Sequence, residues 1–185
     1  EMPADVVKKI LKNTDPKDRH LINQLLKYPE NSAGSIMTTE YVDLEKGMKV
    51  SEAISWIRKT GKDKANIYTC YVTNEEGKLE GVISLKELIG KKDEALIEDV
   101  MECSFASVQT NSDKEEVVAV FKKYDLIVLP VTDNENRILG IITADDVMHV
   151  VEQEATEDFH KMAGITAPVE ESYLKTNVFT VAKQR

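Results

Sequence analysis

The strongest constraint in this sequence is that it says one thing twice. YVTNEEGKLEGVIS (71–84) and PVTDNENRILGIIT (130–143) align without a gap, most positions being identical or chemically close. Upstream, the pair Ile36-Met37 matches Val100-Met101, and AISWIRK (53–59) matches VVAVFKK (117–123) in apolar pattern and trailing basic pair. The spacing is 64 residues upstream and 59 downstream, so the first copy carries about five extra residues near KTGKDKANI. A long period present only twice implies two copies of one supersecondary unit rather than a solenoid.

Each copy reads the same way. VSEAISWIRKTG (50–61) puts Ala53, Ile54 and Ile57 on one helical face, with Gly61 as its stop. NIYTCYVT (66–73) has strand composition, NEEGK (74–78) is a hairpin turn, LEGVIS (79–84) is the return strand, and the short helix LKELIG follows. The second copy gives a helix over 113–124, a strand over 126–132, a turn over 133–137, a strand over 138–143 and a helix from 144. The unit is a strand or linker followed by α, β, β, α, in an α/β (α+β) fold.

Composition narrows the partners. Of 185 residues, 24 are Lys or Arg and 33 are Asp or Glu, a formal charge of −9. That argues against a nucleic acid, which must be met by clustered bases, and against a polybasic membrane-surface role. Cations are the natural counterpart. Cys70 and Cys103 lie in apolar stretches without metal-type spacing and read as buried free thiols. Trp56, Met148 and Met162, at helical spacing among aliphatics, read as core. His20, His149 and His160 lie far apart, with no nucleophile elbow and no phosphate-cradling glycine loop, so the chain does not read as an enzyme.

Two such units, closing with GVISLKEL (81–88) and GIITADDV (140–147), resemble a CBS-domain pair over roughly residues 36 to 151. The resemblance implies sheet-to-sheet packing with pseudo-twofold symmetry, and dimerisation into a disc. The flanks are more specific. LLKYPENSAGSIMTTEYV (25–42) is similar to the junction between the N-terminal helical domain and the CBS pair of MgtE-type magnesium transporters. VVEQEATEDFHKMAG (150–164) resembles the helix that joins the CBS pair to the membrane part in that family.

The expected organisation is therefore the end of an N-terminal helical domain over 1–35, CBS units over 36–95 and 96–151, and a linking helix with tail over 152–185. DVVKKILKN (5–13) and PKDRHLINQLLKY (16–28) read as short amphipathic helices, with Asp15 as an N-cap before Pro16. No 18-residue apolar run occurs, and the membrane domain is expected beyond Arg185, with the chain itself on the cytoplasmic side of the cell membrane.

The linking helix is unusually acidic. Glu152, Glu154, Glu157 and Asp158 fall within seven positions, and no lysine or arginine occurs between Ile138 and His160. On a helix from Ala144 to about Ala163, Val147, Val151, Ala155, Phe159 and Met162 form an apolar stripe. Glu154, Glu157 and Asp158 border it at i, i+3, i+4, a like-charge arrangement that costs about 0.2–0.5 kcal/mol per pair on an exposed helix. Packing that edge against another acidic surface requires cations.

The resemblance implies that Mg2+ fills this role, held by Glu154, Glu157 and Asp158 on the linking helix and by Glu115, Asp125 and Asp146 on the second unit. His149 stands where the family has a further acid, and neutral imidazole is a poor magnesium ligand. Several of these acids have quieter readings. Ser112 with Glu115, Ser84 with Glu87 and Thr143 with Asp146 form capping boxes. Asp125 ends a helix, where an acid opposes the macrodipole.

Two functions remain open. One is a Mg2+-sensing gate that holds the pore of a transporter closed when the ion is plentiful and releases it by carboxylate repulsion when it is scarce. The other is an adenine-nucleotide sensor, ATP being held at Thr143 and Asp146, attached to a cytosolic enzyme or another channel. A homodimer is expected, because a two-fold disc brings both acidic helices side by side, and the remaining partner is the chain's own transmembrane domain.

Overall fold

The structure, a computed structural model, describes residues 27–162. The helix expected over 5–13, the Asp15 cap, residues 16–26 of the helix expected over 16–28 and the tail beyond Met162 lie outside the described residues; Lys27 and Tyr28, the end of that second helix, form a turn and a bend. The chain divides into two compact units at Val150/Val151.

The described part of the first unit runs through a single helical turn, α1 (Ala33–Ile36), then strand β1 (Val42–Glu45), helix α2 (Val50–Thr60) and a short 3-10 turn (Gly61–Asp63). Strands β2 (Thr69–Thr73) and β3 (Leu79–Ser84), helix α3 (Leu85–Gly90) and the turn α4 (Ile97–Val100) complete the first copy and the crossing to the second. The second copy repeats the order as β4 (Val108–Gln109), α5 (Lys114–Tyr124), β5 (Val128–Thr132) and β6 (Ile138–Thr143). Helix α6 (Ala144–Met162) then begins in the first unit and carries the described part of the second.

Each copy builds a three-stranded sheet, β1-β2-β3 and β4-β5-β6. The first pair in each is parallel and the second antiparallel. Parallel neighbours need a crossover, which α2 and α5 supply, whereas β2–β3 and β5–β6 are hairpins. The optional leading strand of the repeat is thus a real strand in both copies. The hairpins share a register shift at the same place, Val72/Thr73 and Val131/Thr132. They also share a left-handed turn residue: Gly77 (φ +76°) has Asn136 (φ +62°) as its counterpart. Asparagine is among the few side chains that tolerate that conformation.

Strand alternation divides the residues between two cores. Cys70, Val72 and Ile83 turn toward the helices, where they pack with Val42, Leu44, Val50, Ala53, Ile57, Leu88 and Ile97. Tyr71 and Leu79 turn the other way and pack with Val128, Ile138 and Ile141 of the second copy, flanked by Tyr41, Val82 and Phe105. The two sheets therefore meet face to face.

The pseudo-symmetry holds hydrogen bond by hydrogen bond, and it is reciprocal. The chain ahead of each copy is stitched to the other copy. The Thr38 N–H donates to Ile141 O at 2.8 Å, and the Glu102 N–H donates to Val82 O at 2.8 Å. Ala33 N–H donates to Ser112 O (2.8 Å) and Ile97 N–H to Met48 O (2.9 Å). Gly34 N–H donates to Thr110 O (2.9 Å) and Glu98 N–H to Lys46 O (3.1 Å). Across the sheet interface, Leu79 N–H donates to Asn136 O (2.9 Å) and Ile138 N–H to Gly77 O (3.3 Å).

This exchange explains the glycine in the middle of each β-hairpin return strand. A Cβ on Gly81 would lie 2.7 Å from the Met101 sulfur, and one on Gly140 would lie 2.7 Å from Thr38 O and 2.9 Å from the Met37 sulfur. The repeated methionine and the repeated glycine are one contact seen twice.

Three side chains expected in the core are not there. Trp56 is 38% exposed, Met148 59% and Met162 89%. Trp56 and Met148 stand on the exposed faces of their helices, because α2 buries Val50, Ala53 and Ile57, and α6 buries Val147 and Val150. Both cysteines are free, but only Cys70 is buried; Cys103 is exposed. It sits beside Glu102 in the crossing segment, which contributes its backbone to the neighbouring sheet.

Candidate regulatory site

Thr143 and Asp146 come together as the spacing requires. Asp146 Oδ2 accepts from the Thr143 hydroxyl at 2.6 Å and from the Thr143 N–H at 3.0 Å, and the Asp146 N–H donates back to Thr143 Oγ1 at 3.4 Å. This capping box starts α6. The first copy has the same frame at the start of α3. Glu87 Oε2 accepts from the Ser84 hydroxyl (2.8 Å) and N–H (3.1 Å), and the Glu87 N–H donates to Ser84 Oγ (3.1 Å). The Ser84 hydroxyl, and after it the Ser84 backbone, hold the Glu87 carboxyl below its ordinary value.

The expected Ser112/Glu115 box is not formed. The cap of α5 is Asp113, whose Oδ1 accepts from the Glu115 N–H at 2.8 Å. Ser112 is held in the seam instead, its carbonyl accepting from Ala33. Glu115 thus occupies the second helical position with an exposed side chain, and capping does not account for it. Asp125 closes the other end of α5 in the left-handed conformation, also exposed.

Glu115 and Asp125 stand ten residues apart on and just past one helix, roughly 15 Å along its axis. Magnesium–oxygen bonds are about 2.0–2.1 Å, so within one chain these two carboxylates cannot serve the same ion. Among the described residues, no group of three or more His, Cys, Asp or Glu is placed to hold a metal ion. The described residues therefore do not form a preformed protein cage. Their separate, exposed carboxylates fit a hard cation that keeps most of its water and takes one or two protein oxygens at a time.

On α6, Glu154, Glu157 and Asp158 follow the helical spacing that sequence gives them. The expectation that no base meets them fails at one position: Lys161 Nζ lies 2.8 Å from Glu157 Oε1, one turn on. The hydrogen bond and charge of Lys161 lower the Glu157 carboxyl. The apolar stripe is covered at Val147, while Phe159 is 67% exposed. Among the described residues no helix is long and apolar enough to cross a membrane.

Two β-α-β-β-α repeats, joined by reciprocal leaders and each ending in a hydroxyl–acid capping frame, define a tandem regulatory module. The CBS-domain family matches residues 33–94 and 97–153, and the chain belongs to it. Within that family it is homologous to the cytosolic domain of MgtE magnesium transporters. It is 42% identical to the magnesium transporter MgtE of Thermus thermophilus over 154 residues, which are 83% of this chain and 34% of that protein. The crystal structure of the soluble part of a magnesium transporter matches with a TM-score of 0.80 at 35% identity, over 83% of this chain and 60% of the other. The cytosolic domain of the Mg2+ channel MgtE in complex with ATP matches with a TM-score of 0.78 at 39% identity, over 81% and 60%. The chain thus spans about a third of the length of its curated transporter relative.

Proposed function

We propose that this chain is the Mg2+-sensing regulatory part of a magnesium transporter, lying on the cytoplasmic side of the membrane and acting on a transmembrane domain of the same protein. The observation that carries the reading is the acidic stretch of α6, where Glu154, Glu157 and Asp158 have Lys161 as the one lysine or arginine within the described part of the helix beyond Val151. Glu154, Glu157 and Asp158 there, with Glu115, Asp125 and Asp146 on the second repeat, are the ligands this reading requires.

Weak sites suffice for a sensor of an abundant ion. A site at ten times its dissociation constant contributes about 1.4 kcal/mol by linkage. Moving a conformation from 1:99 to 99:1 takes about 5.5 kcal/mol of differential binding, hence about four such sites acting together. The 15 Å between the ends of α5 favours this division over several ions. With the ions bound, the acidic surfaces pack and the pore is held closed; without them, like charges separate the surfaces and the pore opens. A homodimer doubles the acidic helices and steepens the response.

A second reading is supported by the Thr143–Asp146 frame and by the ATP complex of a homologous cytosolic domain: ATP would bind with its phosphates near Thr143 and its ribose near Asp146. Limited proteolysis of the 152–165 region at zero, about 1 and about 10 mM Mg2+, with and without ATP, separates the two. Protection by Mg2+ alone supports the magnesium reading, and protection by ATP alone removes it in favour of the nucleotide. Sedimentation showing only monomer at tens of micromolar, with and without Mg2+, overturns the dimer.

A further inference from the structure

We infer that the incoming segment Asn31–Thr38 is the positioning element for the acidic starts of α5 and α6, and that it acts on the second repeat without passing through the first. Its backbone is fastened to the second repeat beside two of that repeat's three candidate carboxylates, Glu115 and Asp146, and not beside Asp125. Near α5, Ala33 and Gly34 donate to Ser112 and Thr110, and the Lys114 N–H donates to Asn31 O at 3.1 Å, one residue before Glu115. At β6, Thr38 and Ile141 exchange two hydrogen bonds, each 2.8 Å, two residues before Thr143, whose hydroxyl and N–H hold the Asp146 carboxylate. The next stitch in sequence, to the first repeat, comes at Glu40, whose carbonyl accepts from the Ala65 N–H at 2.9 Å.

The mirror seam supplies a control within the same chain. There the crossing segment 95–102 is fastened to the first repeat by the equivalent bonds, including Val50 N–H to Ala95 O at 2.9 Å and Val82 N–H to Glu102 O at 2.9 Å. The helix position equivalent to Glu115 on that side is Ser51, which has no charge. The two seams are alike in backbone and in the acid that follows the return strand, Glu87 or Asp146, and differ at the helix start, Ser51 against Glu115. A displacement of the chain preceding Asn31 therefore reaches Glu115 and Asp146 through main-chain hydrogen bonds. The part of this inference that concerns ion affinity rests on the magnesium reading; the part that concerns backbone coupling does not.

Gly140→Ala places a Cβ against Thr38 O and Met37, and Gly81→Ala places one against Met101 and Glu102 O. Both strain one seam by the same chemistry. Hydrogen exchange of the full chain without metal should show Gly140→Ala raising exchange roughly tenfold at 108–116 and 141–150. Gly81→Ala should raise it at 46–52 and 82–88 and leave 141–150 as in the parent. In titration with MgCl2, Gly140→Ala should weaken binding roughly threefold or more and Gly81→Ala should not. Met37→Ala against Met101→Ala repeats the comparison by removing the packing atom, should either alanine variant fail to fold. Equal change at 141–150 in both members of a pair, or none in the Gly140 and Met37 variants, overturns the inference. If the parent binds no Mg2+, the magnesium reading falls while the exchange comparison still decides this one.

Discussion

The backbone N–H of Asp125 donates to the carbonyl of Phe121 while Asp125 itself sits at φ +51°, ψ +49°, the left-handed cap of α5. A residue with a Cβ is disfavoured there by about 1–2 kcal/mol, less for Asp than for most. An acid at a helix C-terminus also opposes the dipole. Neither the left-handed conformation nor the helix dipole favours this carboxylate. Asp125→Gly should therefore stabilise the chain by about 0.5–1 kcal/mol, read as a raised urea midpoint. On the magnesium reading, the same variant should need more Mg2+ to protect the 152–165 region. Stability and ion response moving in opposite directions marks a residue kept for function; loss of stability would assign Asp125 a structural role instead.

The same residue shows what could be read from sequence and what could not. Gapless alignment of 71–84 with 130–143 reveals two hairpins with equal turns, because β-hairpin geometry is local. The reciprocal stitching of leaders is not local. Ile36-Met37 and Val100-Met101 are visible as a repeated pair, and Gly81 and Gly140 as another, but that each methionine packs on the other copy's glycine depends on tertiary pairing. The Thr143/Asp146 frame was legible because a capping box spans three residues. The cap of α5 lies one residue later than the Ser112/Glu115 spacing suggests, because the helix starts at Lys114 and the Asp113 carboxylate takes the capping bond. Trp56 and Met148 read as core from helical spacing, yet α2 and α6 bury narrower faces, Val50, Ala53 and Ile57 in one and Val147 and Val150 in the other. For Glu154, Glu157 and Asp158 the sequence shows the charge and the helix shows the spacing; Lys161, one turn beyond Glu157, was the partner that a count ending at His160 left out.

Glu87 makes stability depend on pH in a defined direction. Its carboxyl is held below the ordinary 4.5 by the Ser84 hydroxyl and backbone. A depressed folded-state value gives stability that is fully present above the unfolded value and is lost as pH falls through the folded one. Glu87→Ala should cost about 0.5–1 kcal/mol at pH 7, and the difference from the parent should vanish as pH drops below 4.5 through the lowered value. Denaturant midpoints of both chains across that range check it. A difference that persists undiminished after protonation would mean that packing at Glu87, not its charge, supports α3.

The two thiols should react in sequence. Cys70 is fully buried, and burial pushes its thiol up to about 12, so almost none is thiolate at neutral pH. Cys103 is exposed. Iodoacetamide at pH 8 should add one label per folded chain, at Cys103, and the second only in denaturant; peptide mass mapping reads both. Labelling of Cys70 at the rate of Cys103 in the folded chain would show that the first repeat opens without global unfolding.

On the magnesium reading, Lys161 should tune the acidic helix. Its ammonium pairs with Glu157 at 2.8 Å, which neutralises one member of the i, i+3, i+4 set and competes with any cation for the same oxygens. Both side chains are exposed, so the pair is screened by salt and easily exchanged. Lys161→Gln should leave the urea midpoint of the chain unchanged and lower the Mg2+ concentration for half-protection of 152–165 roughly two- to threefold at low ionic strength. The gain should shrink as NaCl is added, because Na+ screens the carboxylates in both chains. Glu157→Gln is the opposing change: on the magnesium reading it replaces a charged carboxylate by a neutral amide and should raise that concentration. If both variants shift the midpoint the same way, Glu157 acts through helix stability rather than through the ion.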